Sequence, residues 1–130
     1  MTGVQTCALP ICLILCSATG YGQVVTTITP DATLPIPSSV AQSGTTFNIN
    51  AGTPVDSNLF HSFTQFDVGT GNIANFNAAS GTANILTRVT GGALSQIDGT
   101  LTATDLGTGL VSTANLFLLN PAGEIGRAHV

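Results

Sequence analysis

The stretch Ala83-Asn84-Ile85-Leu86-Thr87-Arg88-Val89-Thr90-Gly91-Gly92 reads as a short strand closed by a glycine corner, and Ala114-Asn115-Leu116-Phe117-Leu118-Leu119-Asn120-Pro121-Ala122-Gly123 repeats the arrangement downstream. Thr and the branched aliphatics suit a pleated surface, while Gly and Asn permit the positive φ of tight corners. The same alternation runs through Leu59 to Val68, Ile73 to Phe76, Gly92 to Leu101 and Leu110-Val111. No segment keeps apolar residues at i, i+3, i+4 and i+7 among good helix formers, so helices are expected to be few and short. Many short strands with glycine turns suit a sandwich, a barrel or a solenoid equally. The density of small corner residues and the recurrence of Ala83-Asn84-Ile85-Leu86 as Ala114-Asn115-Leu116-Phe117 favour stacked coils.

Upstream, Val24 to Thr29 and Thr45 to Asn50 are strand-like, and Pro30, Pro35 and Pro37 punctuate the chain between them. Proline removes a ladder donor, so this stretch is expected to be an extended cover or edge.

Composition narrows the function. Of the 130 residues only 6% are charged, Lys is absent, and the net charge is −4. Binding a nucleic acid requires cations that displace counterions from phosphates, which excludes it as a partner. Anionic membrane surfaces are disfavoured on the same ground. With 43% hydrophobic residues in a regular pattern, the chain is a folded β-rich domain and not a disordered one.

The two ends read differently from the middle. Thr6 to Ile11 can be encoded by ACG TGT GCT CTT CCG ATC, and the reverse complement of that stretch encodes the end of Glu124 followed by Ile125 to Val130. One nucleotide segment in opposite orientations thus accounts for both ends, which resembles a sequencing adapter. Residues 1–12 and 124–130 are therefore expected to be adapter-derived and to stand outside the β core. Residues 13–22 read as the remnant of a signal peptide, an apolar run followed by Ala18, Gly20 and Gly22, with cleavage after Gly20 or Gly22. Residues 23–123 form the partial domain. Only Cys16 lies clear of the adapter and its junction, so no disulfide framework follows.

Catalytic chemistry is poorly represented. His61 and Ser62 are adjacent, and neighbouring side chains on a strand point to opposite faces, so the pair does not make a nucleophile and its base. No Cys or second His stands at ligand spacing from His61. Gly91-Gly92-Ala93-Leu94-Ser95-Gln96-Ile97-Asp98 departs from a calcium-binding repeat and occurs once. No catalytic, cofactor or metal site is expected. A carbohydrate-active enzyme would need Asp67, Asp98 and Asp105 to converge.

Asn58-Leu59-Phe60-His61-Ser62-Phe63-Thr64-Gln65-Phe66, then Ile85 to Gly92 running to Gln96-Ile97-Asp98-Gly99, then Ala114 to Gly123, together resemble the filamentous haemagglutinin N-terminal domain of two-partner secretion. Ile28-Thr29-Pro30-Asp31-Ala32-Thr33-Leu34-Pro35 is similar to the lead-in of that family. The resemblance implies an all-β right-handed parallel β-helix, truncated at its C-terminal end. Ile85, Leu86, Val89, Leu94, Ile97, Leu101, Leu116 and Leu118 are expected inside, and Gly44 to Gly123 is expected to supply roughly four coils.

It further implies a non-enzymatic secretion domain of an adhesin-like exoprotein that starts β-helix folding. Its partner is an outer-membrane β-barrel transporter, and downstream regions would meet host or neighbour-cell surface ligands. The route runs through the periplasm and outer membrane of a Gram-negative-type bacterium to the surface or medium. The motif residues carried by the resemblance are Arg88, Gly91, Gly92, Asn115, Asn120, Pro121 and Gly123, with Ala122 where the family has a second Asn. Arg88 is expected to fix a turn or to pair with an aspartate such as Asp98. A passive β-helical surface protein or an autotransporter passenger is the alternative.

Overall fold

The computed structural model describes residues 23–126, and among them the chain forms strands and no helix. The strands are β1 (Thr27–Pro30), β2 (Ser38–Ser43), β3 (Thr46–Ala51), β4 (Thr53–Val55), β5 (Asn58–Asp67), β6 (Ile73–Ala78), β7 (Asn84–Val89), β8 (Ser95–Ile97), β9 (Thr100–Asp105), β10 (Asn115–Leu119) and β11 (Glu124–Gly126).

Parallel pairing winds them into a β-solenoid of about three turns. On one face β3, β6 and β9 pair in order, and on the second β5, β7 and β10 do so. The third face is narrow: Val68 bridges Ile97 of β8, and β8 pairs with β11. Each coil therefore lays one segment on each face. The count is about three turns and not the four expected. The reason is the length of a coil, since stacked asparagines are 26, 27 and 31 residues apart. Three faces and three corners use more chain than a short repeat allows, and the residues before Thr46 are spent elsewhere.

They form a cap. Antiparallel β2 lies on the free edge of β3, and antiparallel β1 and β4 lie on the free edge of β5. Pro30 and Pro54 stand in these edge strands, with Pro35 and Pro37 between β1 and β2, where a missing N–H costs no interior ladder bond.

Period-two alternation sends Ala74, Phe76 and Ala78 of β6 inward, and Ile85, Thr87 and Val89 of β7. Strand β5 breaks the period. Leu59, His61 and Phe63 point in, then the pairing with β1 slips so that Thr29 faces Gln65 and Pro30 faces Phe63. Thr64 is the extra residue of a bulge, and after it Phe66 and Val68 point inward instead. The shift puts the Phe63 and Phe66 rings edge to face at 5.2 Å, with Phe66 stacked on Phe76 at 5.9 Å.

Ile85, Val89, Ile97 and Leu101 are buried, and Leu116 and Leu118 pack against them half-buried. Two expected core residues are not inside. Leu86 follows Ile85 on one strand, so alternation turns it to the outer face. Leu94 is 47% exposed in the corner before β8, where Ser95 takes the interior position.

Residues 124–126, expected to stand outside the β core, bury no side chain but do join a ladder, pairing in parallel with β8. A ladder asks only for backbone in register, and Gly126 fits where a Cβ would run into the Ile97 carbonyl. Residues 1–22, with the expected adapter and signal remnant, and residues 127–130 lie outside the described residues.

Candidate functional site

Arg88 lies near the end of β7 opposite Leu119 of β10, so the chain leaving both strands turns the same corner on successive coils. Arg88 Nε donates to Ser62 Oγ at 2.8 Å and Nη2 to Thr33 Oγ1 at 2.6 Å. Both hydroxyls in turn donate to Asp31, Ser62 to Oδ2 at 2.8 Å and Thr33 to Oδ1 at 2.6 Å. Thr90 Oγ1 adds a third hydroxyl to Oδ2 at 2.6 Å, and the Thr33 N–H a fourth donor to Oδ1 at 3.0 Å. Partial burial pushes the Asp31 carboxyl up, but the combined donors Thr33, Thr90 and Ser62 outweigh it and hold the group well below the usual carboxylate range. The partner of Arg88 is thus Asp31, reached through hydroxyls, and not Asp98. This cluster straps the lead-in segment to the first two coils.

Beyond Arg88 the backbone closes on the bulge of β5. Thr90 N–H donates to Phe63 O at 2.8 Å and Gly91 N–H to Thr64 O at 3.0 Å. A Cβ at residue 91 would run into the Thr64 carbonyl, whereas Gly92 has open space and a φ of 86°. The two glycines therefore serve different needs. Gly91→Ala is expected to cost about 1–3 kcal/mol by overpacking. Gly92→Asn should stay within about 0.5 kcal/mol, because Asn tolerates the left-handed region. Urea midpoints of the two variants check the contrast, and equal midpoints would contradict it.

On the next coil Asn120 holds the same corner. Its Nδ2 donates to Ala93 O and to Ser95 Oγ, both at 2.9 Å, and its Oδ1 accepts the Ala122 N–H at 2.9 Å. Gly123 N–H returns to Asn120 O at 2.9 Å, closing a turn with Pro121 and Gly123 where such turns favour Pro and Gly. Ala122 contributes only its backbone donor here, so the departure from the family's second Asn leaves this hydrogen bond intact.

Arg88, Gly91, Gly92, Asn120, Pro121 and Gly123 are thus gathered at one corner. Asn115 is not; it stands at the opposite end of β10, where its Nδ2 donates to Asn84 Oδ1 at 3.1 Å and Asn84 Nδ2 to Asn58 Oδ1 at 2.9 Å. It is a rung of a ladder with one asparagine per coil. Asp31, Thr33, Ser62 and Thr90 were not singled out as site residues. Their signal is the Asp31-Ala32-Thr33 spacing, which allows a carboxylate to take both the N–H and the hydroxyl two residues on.

His61 and Ser62 diverge as strand alternation dictates. Ser62 faces Asp31, while His61 is 1% exposed, with Nδ1 2.8 Å from Ser38 Oγ and Nε2 without a partner. Burial pushes the imidazole pKa down to about 4. Asp67 Oδ1 accepts the Gln96 N–H at 2.8 Å, on the second face, whereas Asp105 accepts the Gly107 N–H at 2.8 Å at the end of a strand of the first. Asp67 thus ties the first coil to the second and Asp105 braces its own loop, and no group of three or more His, Cys, Asp or Glu suited to a metal occurs among the described residues.

A family model described as "TPS secretion domain" matches residues 26–125, which takes in the cap, all the coils and the corner with its strap. No curated protein and no solved structure matches the chain. With a fold and a matched span that coincide, the chain belongs to the TPS secretion domain family, the domain found in two-partner-secretion exoproteins.

Proposed function

We propose that this domain is the recognition and folding-start module of an adhesin-like exoprotein, engaged in the periplasm in an extended or partly folded state by an outer-membrane β-barrel transporter and exported to the cell surface or medium, where its β-helix templates folding. The observation that carries the reading is the family match over residues 26–125. The chemistry supports it. Arg88, the only cation among the described residues, is tied through the hydroxyls of Ser62 and Thr33 to the Asp31 carboxylate, so the motif corner and the lead-in segment form one unit. The upstream edges of β3 and β5 are covered by antiparallel strands, which makes the first coil a closed starting point for the coils that stack below it. Strand addition suits such a chain, because backbone groups supply affinity and alternate side chains supply specificity. Adhesive ligands on host or neighbouring cells would be met by other regions of the exoprotein.

In the exoprotein carrying this domain, Arg88→Ala and Asn120→Ala are each expected to lower export about tenfold, equivalent to about 1.4 kcal/mol of lost recognition. Delivery to the periplasm should be unchanged. Fractionation of periplasm, surface and medium, with circular dichroism of the purified domain as a fold control, measures both. Export that persists undiminished when the adjacent transporter gene is deleted would overturn the reading.

A further inference from the structure

His61 lies directly beneath the cap, and its covers decide how it can meet a proton. Ser38 Oγ, at the start of β2, is 2.8 Å from Nδ1. Gly52, in the corner between β3 and β4, lies so close that a Cβ there would stand 2.8 Å from the ring Cε1. The Gly52 N–H donates to Pro37 O at 3.3 Å, which ties these two covers together. Phe63 stacks on the ring at 6.1 Å and Phe76 tilts against it at 5.5 Å. Thr87 of the second coil is its register partner on β7 and is likewise buried. None of Ser38, Gly52, Phe63, Phe76 and Thr87 titrates or carries a charge. A protonated ring therefore has no anion to pair with, and Nε2 has no acceptor. A neutral hydroxyl does not offset a buried charge, so the imidazolium has to reach water.

The least costly way out is past β2. Through β6 and β7, water would have to part the aromatic stack and the parallel ladders. Strand β2 is one arm of a hairpin with β3, and of its six residues only Ser38 is buried and Val40 half-buried. The other side of the cap does not share this weakness. Strand β1 leads into the Asp31 cluster, whose carboxyl stays ionised well below the usual range, so mild acid leaves that clamp closed.

We propose that β2 is an acid-opened lid: protonation of His61 lifts it from the first coil and bares the upstream backbone edge of β3, while β1 and the coils below stay folded. An edge uncovered in this way offers a row of N–H and C=O groups to an added strand. The inference stands apart from the export reading, since it needs only this chain and a proton.

Amide hydrogen exchange of the full chain, followed residue by residue at pH 7.5 and 4.5 and divided by unstructured-chain rates at each pH, tests the lid. At both pH values the β2 amides should exchange faster than those of β6, β7 and β9, because the lid opens without the coils. With the imidazole pKa at 6.5 when the lid is open and about 4 when it is closed, β2 protection should fall roughly fiftyfold between the two pH values. The fall should vanish in His61→Phe, Ser38→Ala, and a fall that persists there would overturn the assignment to His61. If that variant does not fold, the wild-type comparison decides alone. Exchange of β2 no faster than that of the coils would overturn the lid, since only global unfolding then frees the ring. Faster exchange with the same protection at both pH values would overturn it too, because the arm would then open without uncovering His61.

Discussion

Phe66→Ala is expected to destabilise the domain by about 3–5 kcal/mol, the usual cost of a phenylalanine-sized cavity in a packed core. Phe66 is fully buried and touches both Phe63 and Phe76, so its loss removes the phenylalanine stack between the first two coils and leaves only the His61 ring on Phe76. Against a total stability of about 5–15 kcal/mol, this is a large fraction. The chain has no Trp, so far-UV circular dichroism in urea is the appropriate probe. Phe117→Ala, on the outer face, is the matched control and should cost less than about 1 kcal/mol. Equal midpoints for the two would show that the cluster is not the centre of the fold.

The second large effect is an acid weakening carried by one histidine. Burial lowers the His61 pKa from 6.5 to about 4, so between these values the unfolded chain binds a proton that the native chain refuses. Stability contributed by the neutral ring is complete above pH 6.5, falls as the pH drops, and is exhausted near pH 4. The loss amounts to about 3 kcal/mol at 1.36 kcal/mol per pKa unit. The lowered Asp31 carboxyl acts in a different window, since its contribution is present above 3.8 and disappears only below it. Urea midpoints at pH 7.5 and 4.5 isolate the histidine. The double variant His61→Phe, Ser38→Ala removes the titrating ring and its buried partner together, and should flatten the difference. A slope that persists in that variant would assign the effect elsewhere.

How much of this was legible beforehand depended on the kind of contact. Ile85, Val89, Ile97 and Leu101 were readable as interior because each stands in a strand bounded by Gly or Asn. In the pair Ile85-Leu86, however, strand alternation admits only one residue to the core, and nothing local says which. Leu94 looked like part of a strand, but Asn120 reaches across a coil to fix Ser95 and leaves Leu94 outside. The bulge at Thr64 was invisible for a similar reason, since it exists only in the pairing of β5 with β1.

The site divided along the same line. Gly91, Gly92, Asn120, Pro121 and Gly123 belong to corners, and corner chemistry is written locally in Gly, Asn and Pro. The Arg88 cluster joins residues 55 and 59 positions apart, Thr33 to Arg88 and Asp31 to Thr90, which no local pattern announces. Asp98 seemed the natural partner of Arg88 because it is near in sequence. The lead-in carboxylate prevailed because the strap is folded back onto the first two coils.

The one-sided cap also has a mechanical consequence. A pull on the chain beyond β11 would load each ladder at its end, so hydrogen bonds would give way singly and the coils would peel off in turn at low force. A pull from before β1 would instead load the antiparallel bonds to β5 along their strands, together with the Asp31 clamp, so that many bonds must fail at once. The cap would therefore make the two ends mechanically unequal, softer when drawn from the C-terminal side and stiffer when drawn from the N-terminal side.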